Sequence, residues 1–510
     1  MVKALPPRPN LEFEKKQAKA LLKAVQAGDP LALERVQAVH PRLQNGAPKS
    51  PLLDQFKLSD AQLVIAREYG LSSWPQLKHQ IEMLREGLAD TFSEFAAAVR
   101  RGNAARVREL LHTSPALSRR INDPVIDFDA PAIVIAASKG RELVDVLLEH
   151  GADINARSAW WAGAFGALHG ANRDMAAYLI DRGAVVDVHA AAEQGMLDRL
   201  RQLLEADPSL VDARGPDGQR PLHFARSVEV IDFLLERGAD IDARDVDHSA
   251  TAAQWMVKDH AALCRHLLKR GAEPDIFMAC ALGDLDLVKA LVDADPAVVD
   301  KRIGQEGTPQ VPLAPGLHIY FYSFGSNTSP YQIALHTGQS AIYRFLLERS
   351  SPQRRFMAAC ERADAETARR LLKESPDLVA SLPKQDQRLL ADAAWENRLE
   401  AVKVMLEAGF DPHVRGDDDC TPLDRAAFHG FIDVVEVLLR HNPPLTLTNR
   451  FGGWPLETAL YGAIHSWRRD GDFPATVEAL IKAGAEIPPN ALPSGSDAVD
   501  AVLRRYIPEG

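Results

Sequence analysis

The sequence predicts an all-α protein built from stacked pairs of short helices, because one two-part unit recurs along the chain. Each copy contains an Ala-rich apolar run, a Gly, a second apolar run and a Pro. The copies are residues 20–41, 94–115, 187–208, 275–296 and 355–376. The interval from Gly to Pro is constant, as from Gly28 to Pro41, and Ala363 replaces the Gly in the last copy.

Each copy is predicted to form two helices joined by a tight turn. Apolar residues recur at helical spacing on both sides of the Gly, which supplies the connection. The first helix is rich in Ala, whose small side chain lets neighbouring helices approach closely. A single pair of this size cannot bury its apolar face, so the copies are expected to stack on one another.

Length and composition set the broad class of the protein. The chain has 510 residues, of which 46% are hydrophobic and 25% charged, and this excludes a disordered or fibrous protein. Its net charge of -11 argues against a general nucleic-acid coat. Four cysteines are too few for a disulfide framework, and no secretory or membrane-spanning segment is visible. We therefore expect a cytoplasmic protein.

A second type of unit lies between these copies and carries a specific resemblance. Residues 217–223 read DGQRPLH and residues 421–430 read TPLDRAAFHG. Four helix endings are LLEHGADINAR (147–157), LLERGADIDAR (234–244), LLKRGAEPD (267–275) and MLEAGFDPH (405–413). These segments resemble the Thr-Pro-Leu-His signature and the second-helix ending of ankyrin repeats, over roughly residues 92–487. Thr421 is predicted to cap its helix, with Pro422 at the first helical position.

The resemblance implies an ankyrin-repeat solenoid of about a dozen helix-turn-helix units with short finger loops. The predicted organisation is an N-terminal helical cap module at residues 1–90, a repeat array at 91–490 and a C-terminal tail or capping helix at 491–510. An enlarged finger is predicted at residues 304–328. Left-handed backbone is predicted where helices end, at Gly151, Gly238, Gly271 and Gly409.

Residues 58–84 are predicted to form a separate N-terminal helix pair. Ser59 is expected to cap the first helix and Gly70 to end it, while Ser73 and Gln76 have capping-box spacing for the second. The pair resembles a segment of bacterial ankyrin-repeat proteins, which favours a cap that shields the first repeat. It also resembles a DNA-reading helix-turn-helix, although nearby acidic residues offset its basic ones. Both interpretations stay open at this point.

Patterns typical of common catalytic and metal sites are absent from the sequence. Cys280 and Cys360 replace small apolar residues of the other copies, so core packing is expected for both thiols. The histidines form no zinc-binding pattern, and residues 417–419 lack the spacing of a calcium loop. No phosphate-binding loop or nucleophile elbow occurs either. We expect no metal and no cofactor, and the sequence leaves open whether the protein is an enzyme.

The most unusual stretch is residues 307–343, which contain no Asp, Glu, Lys or Arg although a quarter of the chain is charged. Within it, residues 317–324 read LHIYFYSF and alternate like a strand. The residues predicted to share one face are His318, Tyr320, Tyr322 and Phe324. We expect this finger to form a hairpin wall over a groove and to contact a ligand, because such aromatic side chains suit recognition. The alternative is a loop that only packs against its neighbours.

Further candidate binding residues are aromatic. Trp160, Trp161 and Phe165 precede the first helix of another repeat, in a finger. Trp255 is predicted to lie on a first helix, whose inner face ankyrin proteins use for binding together with their fingers. No residue is assigned a catalytic or metal-binding role.

The resemblance implies a scaffold that binds a protein or peptide partner through its concave groove and finger loops. A second interpretation is an enzyme or small-molecule binder with a neutral aromatic pocket under residues 304–328. Its acid-base candidates are His318, Tyr320 and Tyr322. A third is a DNA-binding regulator acting through residues 58–84. We expect no membrane partner, and nucleic acid is not favoured.

Overall fold

The computed structural model of the chain describes residues 3, 5–6, 9–40, 56–304, 317–325, 327–468 and 470–507. Helices dominate these residues, and the extended pairing within them is limited to two isolated bridges, Ile126 with Ala130 and Arg244 with Thr251. The predicted all-α fold class is confirmed. Residues 305–316, the first part of the predicted enlarged finger, lie outside the described residues.

The chain divides into two compact units. The first comprises Met1–Ala294 and Lys301–Ser329, and the second comprises Asp295–Asp300 and Pro330–Gly510. The N-terminal helix pair and the described part of the enlarged finger therefore belong to the first unit.

The helices of the first unit follow one another as short pairs. They are α1 (Leu11–Gln26), α2 (Pro30–Val39), α3 (Leu58–Glu68), α4 (Trp74–Glu86), α5 (Ala89–Arg101), α6 (Ala104–Thr113), α7 (Pro115–Ser118), α8 (Ala132–Ala136), α9 (Arg141–Glu149), α10 (Arg173–Asp181), α11 (Val188–Glu193), α12 (Leu197–Ala206), α13 (Pro221–Phe224), α14 (Val228–Glu236), α15 (Ala252–Met256), α16 (Ala261–Lys269), α17 (Ile276–Leu282), α18 (Leu285–Ala294) and α19 (Ile319–Phe324). Short 3-10 helices at Asp127–Asp129, Pro208–Asp212 and Pro216–Gly218 connect some of them.

The second unit continues the same pattern. Its helices are α20 (Pro330–His336), α21 (Ser340–Arg349), α22 (Pro352–Glu361), α23 (Ala365–Glu374), α24 (Lys384–Gln387), α25 (Leu389–Trp395), α26 (Leu399–Glu407), α27 (Pro422–His429), α28 (Ile432–Leu439), α29 (Pro455–His465), α30 (Phe473–Lys482) and α31 (Asp497–Leu503). The 3-10 helices are Pro296–Asp300 and Asp417–Asp419. Across the described residues of both units, no helix combines the length and apolar composition that crossing a bilayer requires.

Side-chain caps fix several helix starts. The Ser73 hydroxyl accepts a hydrogen bond from the Gln76 amide at 3.3 Å, as predicted for α4. The prediction that Ser59 caps α3 is wrong, because α3 begins at Leu58, one residue before Ser59. There the Lys57 amide donates to Asp60 Oδ2 at 2.7 Å. A carboxylate at the third helical position thus replaces the predicted hydroxyl cap.

In α27 the predicted cap is confirmed. Thr421 Oγ1 accepts a hydrogen bond from the Asp424 amide at 3.1 Å, and Asp424 Oδ2 accepts one from the Thr421 amide at 2.8 Å. Pro422 occupies the first helical position, where a missing amide proton costs nothing.

The turns between paired helices use left-handed backbone at the predicted positions. The φ angles of Gly28, Gly102, Gly195 and Gly283 are 74, 71, 69 and 71°. Those of the helix-ending Gly70, Gly151, Gly238, Gly271 and Gly409 are 74, 89, 92, 105 and 94°. Ala363 has a φ of 55° at the same turn although it carries a Cβ, which makes this conformation unfavourable.

The predicted core role of two cysteines is confirmed. Cys280 in α17 and Cys360 in α22 are fully buried. Burial raises the pKa of the Cys360 thiol to about 12 and that of the Cys280 thiol even more, so both stay protonated.

The strand predicted for residues 317–324 is wrong, because Ile319–Phe324 form the helix α19. His318 caps this helix, and its Nδ1 accepts a hydrogen bond from the Tyr320 amide at 3.1 Å. Aromatic residues favour strands only where a neighbouring strand receives them. In the described part of the finger, these rings instead contact side chains that are distant in the sequence. The backbone adopts a helical turn, which brings the rings to those side chains.

Candidate functional site

Three finger tips of the first unit meet through equivalent residues. Trp160, Asp217 and Asp247 end the segments ARSAW, ARGPD and ARDVD, which occupy the same place in successive fingers. The Trp160 indole Nε1 donates a hydrogen bond to Asp217 Oδ1 at 2.9 Å. The Asp217 carbonyl accepts hydrogen bonds from the amides of Val246 and Asp247 at 2.9 and 3.1 Å. These contacts hold the tip side chains next to one another.

Glycine is required where these fingers touch. A Cβ on Gly163 would lie 1.9 Å from the carbonyl oxygen of Gly215, and one on Gly218 would lie 2.2 Å from Val246 Cγ2. Gly218 also has a φ of 71°, which a residue with a Cβ rarely adopts. The close backbone approach fixes the spacing of the side chains at the tips.

Two carboxylates and an imidazole come together at these tips. One ligand atom each from Asp217, Asp247 and His248 lies within 4.8 Å of the other two. His248 Nδ1 is 2.8 Å from the carbonyl oxygen of Leu317, and because a carbonyl only accepts, Nδ1 carries a proton. His248 Nε2 is 3.9 Å from Asp247 Oδ2. Asp217, Asp247 and His248 are called the finger-tip cluster below.

The finger-tip cluster has the donor types of a divalent-metal site, and its carboxylates can also bind an organic cation. An imidazole nitrogen and two carboxylates bind several transition metals. Two ligand atoms about 2.1 Å from a tetrahedral zinc ion are roughly 3.4 Å apart, whereas His248 Nε2 and Asp247 Oδ2 are 3.9 Å apart. An ammonium or guanidinium group, with hydrogen bonds of about 2.8 Å to each carboxylate, spans a wider gap. The absence of a metal stays a prediction.

Negative charge is concentrated in the finger-tip cluster. Burial and, to a smaller degree, the Asp247 carboxylate raise the pKa of Asp217 to about 6, while His248 lowers it. Burial also raises the pKa of the Tyr322 phenol, and the two carboxylates add to this effect. Burial lowers the pKa of the Arg67 guanidinium in α3, whereas the charge of Asp247 raises it. A cation from the N-terminal helix pair therefore lies within electrostatic range of the cluster.

Aromatic side chains border the finger-tip cluster on two sides. The rings of Trp255 and Tyr322 lie edge-to-face against the His248 ring, with centroids 5.2 and 5.5 Å away. On the other side, the Phe128 ring is 5.3 Å from the Trp160 ring. Tyr322 and Phe128 are 61% and 55% exposed. Their exposed faces can contact an incoming ligand around the carboxylates.

The structure brings most of the sequence-predicted aromatic residues to this place. The Trp161 ring is 6.0 Å from the Trp160 ring, and the Phe165 ring is 5.6 Å from the Phe128 ring. Trp255 is fixed by its indole Nε1, which donates to a carboxylate oxygen of Asp245 at 2.6 Å. Whether these rings bind a partner stays a prediction.

Two other predicted residues lie inside the fold. His318 and Tyr320 are both fully buried. His318 Nε2 is 3.3 Å from Gln254 Oε1, and the Tyr320 hydroxyl donates to Asp275 Oδ2 at 2.7 Å. Phe324 packs against Tyr320, with ring centroids 5.4 Å apart. Of the four aromatic residues predicted in the described part of the finger, Tyr322 thus has a mostly exposed ring.

Burial also shifts the pKa values of His318 and Tyr320 away from neutral pH. The pKa of His318 is lowered to about 3 by burial, and that of Tyr320 is raised well above its usual value. His318 therefore stays uncharged and Tyr320 stays protonated. Whether either residue takes part in binding or catalysis stays a prediction.

Sequence reasoning missed the charged part of the site. Asp217, Asp247, His248 and Arg67 were not among the candidate residues. A signal existed for the first two, because aligning the successive fingers places both at one tip position. Arg67 carries no such signal, since its approach to Asp247 depends on how the N-terminal helix pair packs.

Comparisons with known proteins identify the repeats. Residues 188–277 match the family model described as ankyrin repeats (3 copies), and residues 390–439 match the one described as ankyrin repeats (many copies). The chain is similar to the E3 ubiquitin-protein ligase KEG of Arabidopsis thaliana, with 26% identity over 276 residues, 49% of this chain and 16% of that protein.

Shorter similarities extend to other proteins. Palmitoyltransferase ZDHHC13 of Mus musculus is 30% identical over 104 residues, 19% of this chain and 16% of that protein. Ankyrin repeat and SAM domain-containing protein 6 of Mus musculus is 27% identical over 117 residues, 22% of this chain and 13% of that protein. The matches thus span about a sixth or less of the length of these relatives.

Proposed function

Since this chain contains ankyrin repeats, we propose that it is a scaffold that binds a protein or peptide partner through its first unit. A Lys or Arg side chain of the partner enters the finger-tip cluster between Asp217 and Asp247. The observation that carries this proposal is the pair of adjacent carboxylates, contributed by consecutive repeats and bordered by exposed aromatic rings.

Physical reasons favour a basic partner. Two neighbouring carboxylates repel each other, and a cation between them replaces this repulsion with two charge-assisted hydrogen bonds. The exposed rings of Tyr322 and Phe128 supply apolar area around the charged centre. At protein interfaces, the residues that dominate the binding energy typically include a central charged residue and the aromatic residues around it.

A random peptide library displayed on phage tests the proposal, because the selection itself finds the sequences that bind. Peptides selected against the full chain should be enriched in Lys or Arg next to apolar residues. A selected peptide should bind at least about 10-fold more weakly to the Asp217→Asn variant, because a charged hydrogen bond is lost. The matched control is Asp198→Asn, since the Asp198 side chain is 92% exposed on α12. Unchanged affinity for Asp217→Asn, or selected peptides without basic residues, would contradict the proposal.

The alternative of a DNA-binding regulator receives no support from the charges of the N-terminal helix pair. Lys78 in α4 lies 3.9 Å from Glu82 of the same helix. Arg120, which lies outside this helix, forms ion pairs with Glu82 and Glu86 at 3.0 and 2.7 Å. Phosphate binding needs an excess of cations on the contacting face. We therefore do not propose DNA as the partner.

A further inference from the structure

A cavity of about 960 Å³ lies within the second unit, and five of the 14 residues that line it are aromatic. The helices α25, α27 and α29 supply one side, and finger residues supply the other. Its volume is within the range of small-molecule binding sites in proteins. The rings that line it are those of Trp395, Phe428, Phe451, Tyr461 and Trp467. It is called the aromatic cavity below.

Several of these rings pack into one wall. Trp395 and Phe428 are stacked, with centroids 5.6 Å apart and planes inclined by 16°. The Trp467 ring lies edge-on to Trp395 at 5.6 Å and is 5.8 Å from Phe428. Phe451, Tyr461 and Trp467 are each more than half exposed. Large exposed rings gathered around one opening mark a binding site rather than a packed core.

A buried carboxylate adds negative charge to the aromatic cavity. Asp424 is 0% exposed, and its Oδ2 accepts hydrogen bonds from the Thr421 amide and hydroxyl, both at 2.8 Å. Burial raises the pKa of Asp424 to about 6, and hydrogen bonds from Thr421 and Thr458 oppose this shift. Glu457 contributes a second carboxylate to the lining.

Arg425 also lines the cavity, and its guanidinium lies over the Trp395 ring, 5.3 Å from the centroid, and 3.6 Å from Asp392. The rings that remain open to a ligand are therefore the exposed ones of Phe451, Tyr461 and Trp467.

We propose that the aromatic cavity binds a small organic cation with an alkylated ammonium group, such as choline. Ring faces attract cations, and Trp does so most strongly. A quaternary ammonium such as that of choline has no N–H donors and needs no hydrogen-bond acceptors, so a wall of rings suits it better than it suits a primary amine. The carboxylates of Asp424 and Glu457 supply the opposite charge. The cavity and the finger-tip cluster belong to different units, so this proposal does not depend on the proposed function.

Calorimetric titration of the full chain with choline tests the proposal. We expect saturable binding of choline in the low-millimolar range or tighter. The neutral compound 3,3-dimethyl-1-butanol has the same shape, and it should bind at least about 10-fold more weakly, because its tert-butyl group carries no charge. Equal affinity for the two compounds, or no saturable binding of choline, would overturn the proposal.

Variants locate the binding to the aromatic cavity. Trp467→Ala removes a mostly exposed ring from a loop, so the fold should persist while the affinity for choline falls by about 10-fold. Phe13→Ala is the matched control, because it removes an exposed ring from α1 and should leave the affinity unchanged. Asp424→Asn should also weaken binding, and its thermal melting is measured because Asp424 caps α27. Wild-type affinity in the Trp467→Ala variant would refute the assignment.

A peptide that contains trimethyllysine distinguishes a free cation from a protein side chain. If choline is the correct class of ligand, the peptide should bind no more tightly than choline. Binding of the peptide about 10-fold tighter, with the same loss in Trp467→Ala, would assign the cavity to a protein side chain and overturn the small-molecule assignment.

Discussion

The affinity of the first unit for a basic peptide should rise about 10-fold between pH 5 and pH 7. Asp217 has its pKa raised to about 6 by burial and by Asp247, and it must ionise before it can bind a cation. Its ionised fraction therefore grows from roughly a tenth at pH 5 to roughly nine tenths at pH 7. A Lys of the peptide stays charged throughout this range, so the change in affinity comes from the protein.

Fluorescence anisotropy of a labelled, Lys-containing peptide from pH 5 to pH 8, at constant ionic strength, measures this effect. Asp217→Asn should bind weakly and lose most of the pH dependence. Asp247→Asn should move the midpoint to lower pH, because it removes a like charge that helps to raise the pKa of Asp217. His248→Gln removes the imidazole and separates its contribution to the affinity from that of the two carboxylates. A flat profile in the wild-type chain, or an unchanged slope in Asp217→Asn, would refute the reasoning.

The same group should affect stability in the opposite direction. The pKa of Asp217 is about 6 in the folded chain and about 3.9 in an unfolded one, so folding tightens proton binding. Asp217 therefore contributes stability at low pH that is lost as the pH rises from about 4 through 6, on the order of 3 kcal/mol. A bound basic peptide should restore part of this stability at pH 7. Thermal melting at both pH values, with and without peptide, measures the difference.

Three further predictions concern single substitutions. Ala363→Gly should stabilise the turn between α22 and α23 by about 0.5–1 kcal/mol, because a left-handed φ penalises Ala, and amide hydrogen exchange in these helices should slow several-fold. Gly163→Ala should destabilise the first unit by about 1–3 kcal/mol, since its Cβ would overlap the Gly215 carbonyl, and a lower urea midpoint should show this. Trp160→Phe removes a hydrogen-bond donor to Asp217 and should move the pH midpoint of peptide binding upward by about one unit.

Sequence patterns predict the repeated helix pairs well because the constraints are local. A left-handed turn between two apolar runs demands a residue without a Cβ, and Gly102 and Gly283 satisfy this demand within their own unit. The helix at residues 319–324 depends instead on partners far away in the sequence. The Tyr320 hydroxyl reaches Asp275, and His248 reaches the carbonyl of Leu317. Such long-range contacts leave no periodic trace in the sequence, so the local alternation of residues 317–324 was misleading.

The residues of the candidate site likewise divide into those that the sequence predicts and those that it does not. Aromatic residues such as Trp160 and Tyr322 attract attention in a chain that has only 6% aromatic residues. Asp217 and Asp247 are two of 70 acidic residues, and composition cannot single them out. Only the register between consecutive repeats shows that they share a tip position, and only the packing of the fingers shows that their carboxylates are close. Chemistry that arises between repeats is therefore harder to predict than the repeats themselves.

Equivalent finger tips in the two units show how one backbone contact can serve different chemistry. The Asp418 carbonyl accepts a hydrogen bond from the Arg450 amide at 2.8 Å, as the Asp217 carbonyl does from the next finger of the first unit. The amide donors are those of Val246 in the first unit and Arg450 in the second, and the residues that follow them are Asp247 and Phe451. The Asp418 carboxylate faces the Arg450 guanidinium at 3.4 Å, so its charge is balanced. The same contact thus places two carboxylates together in one unit and exposes an aromatic ring at the rim of a cavity in the other.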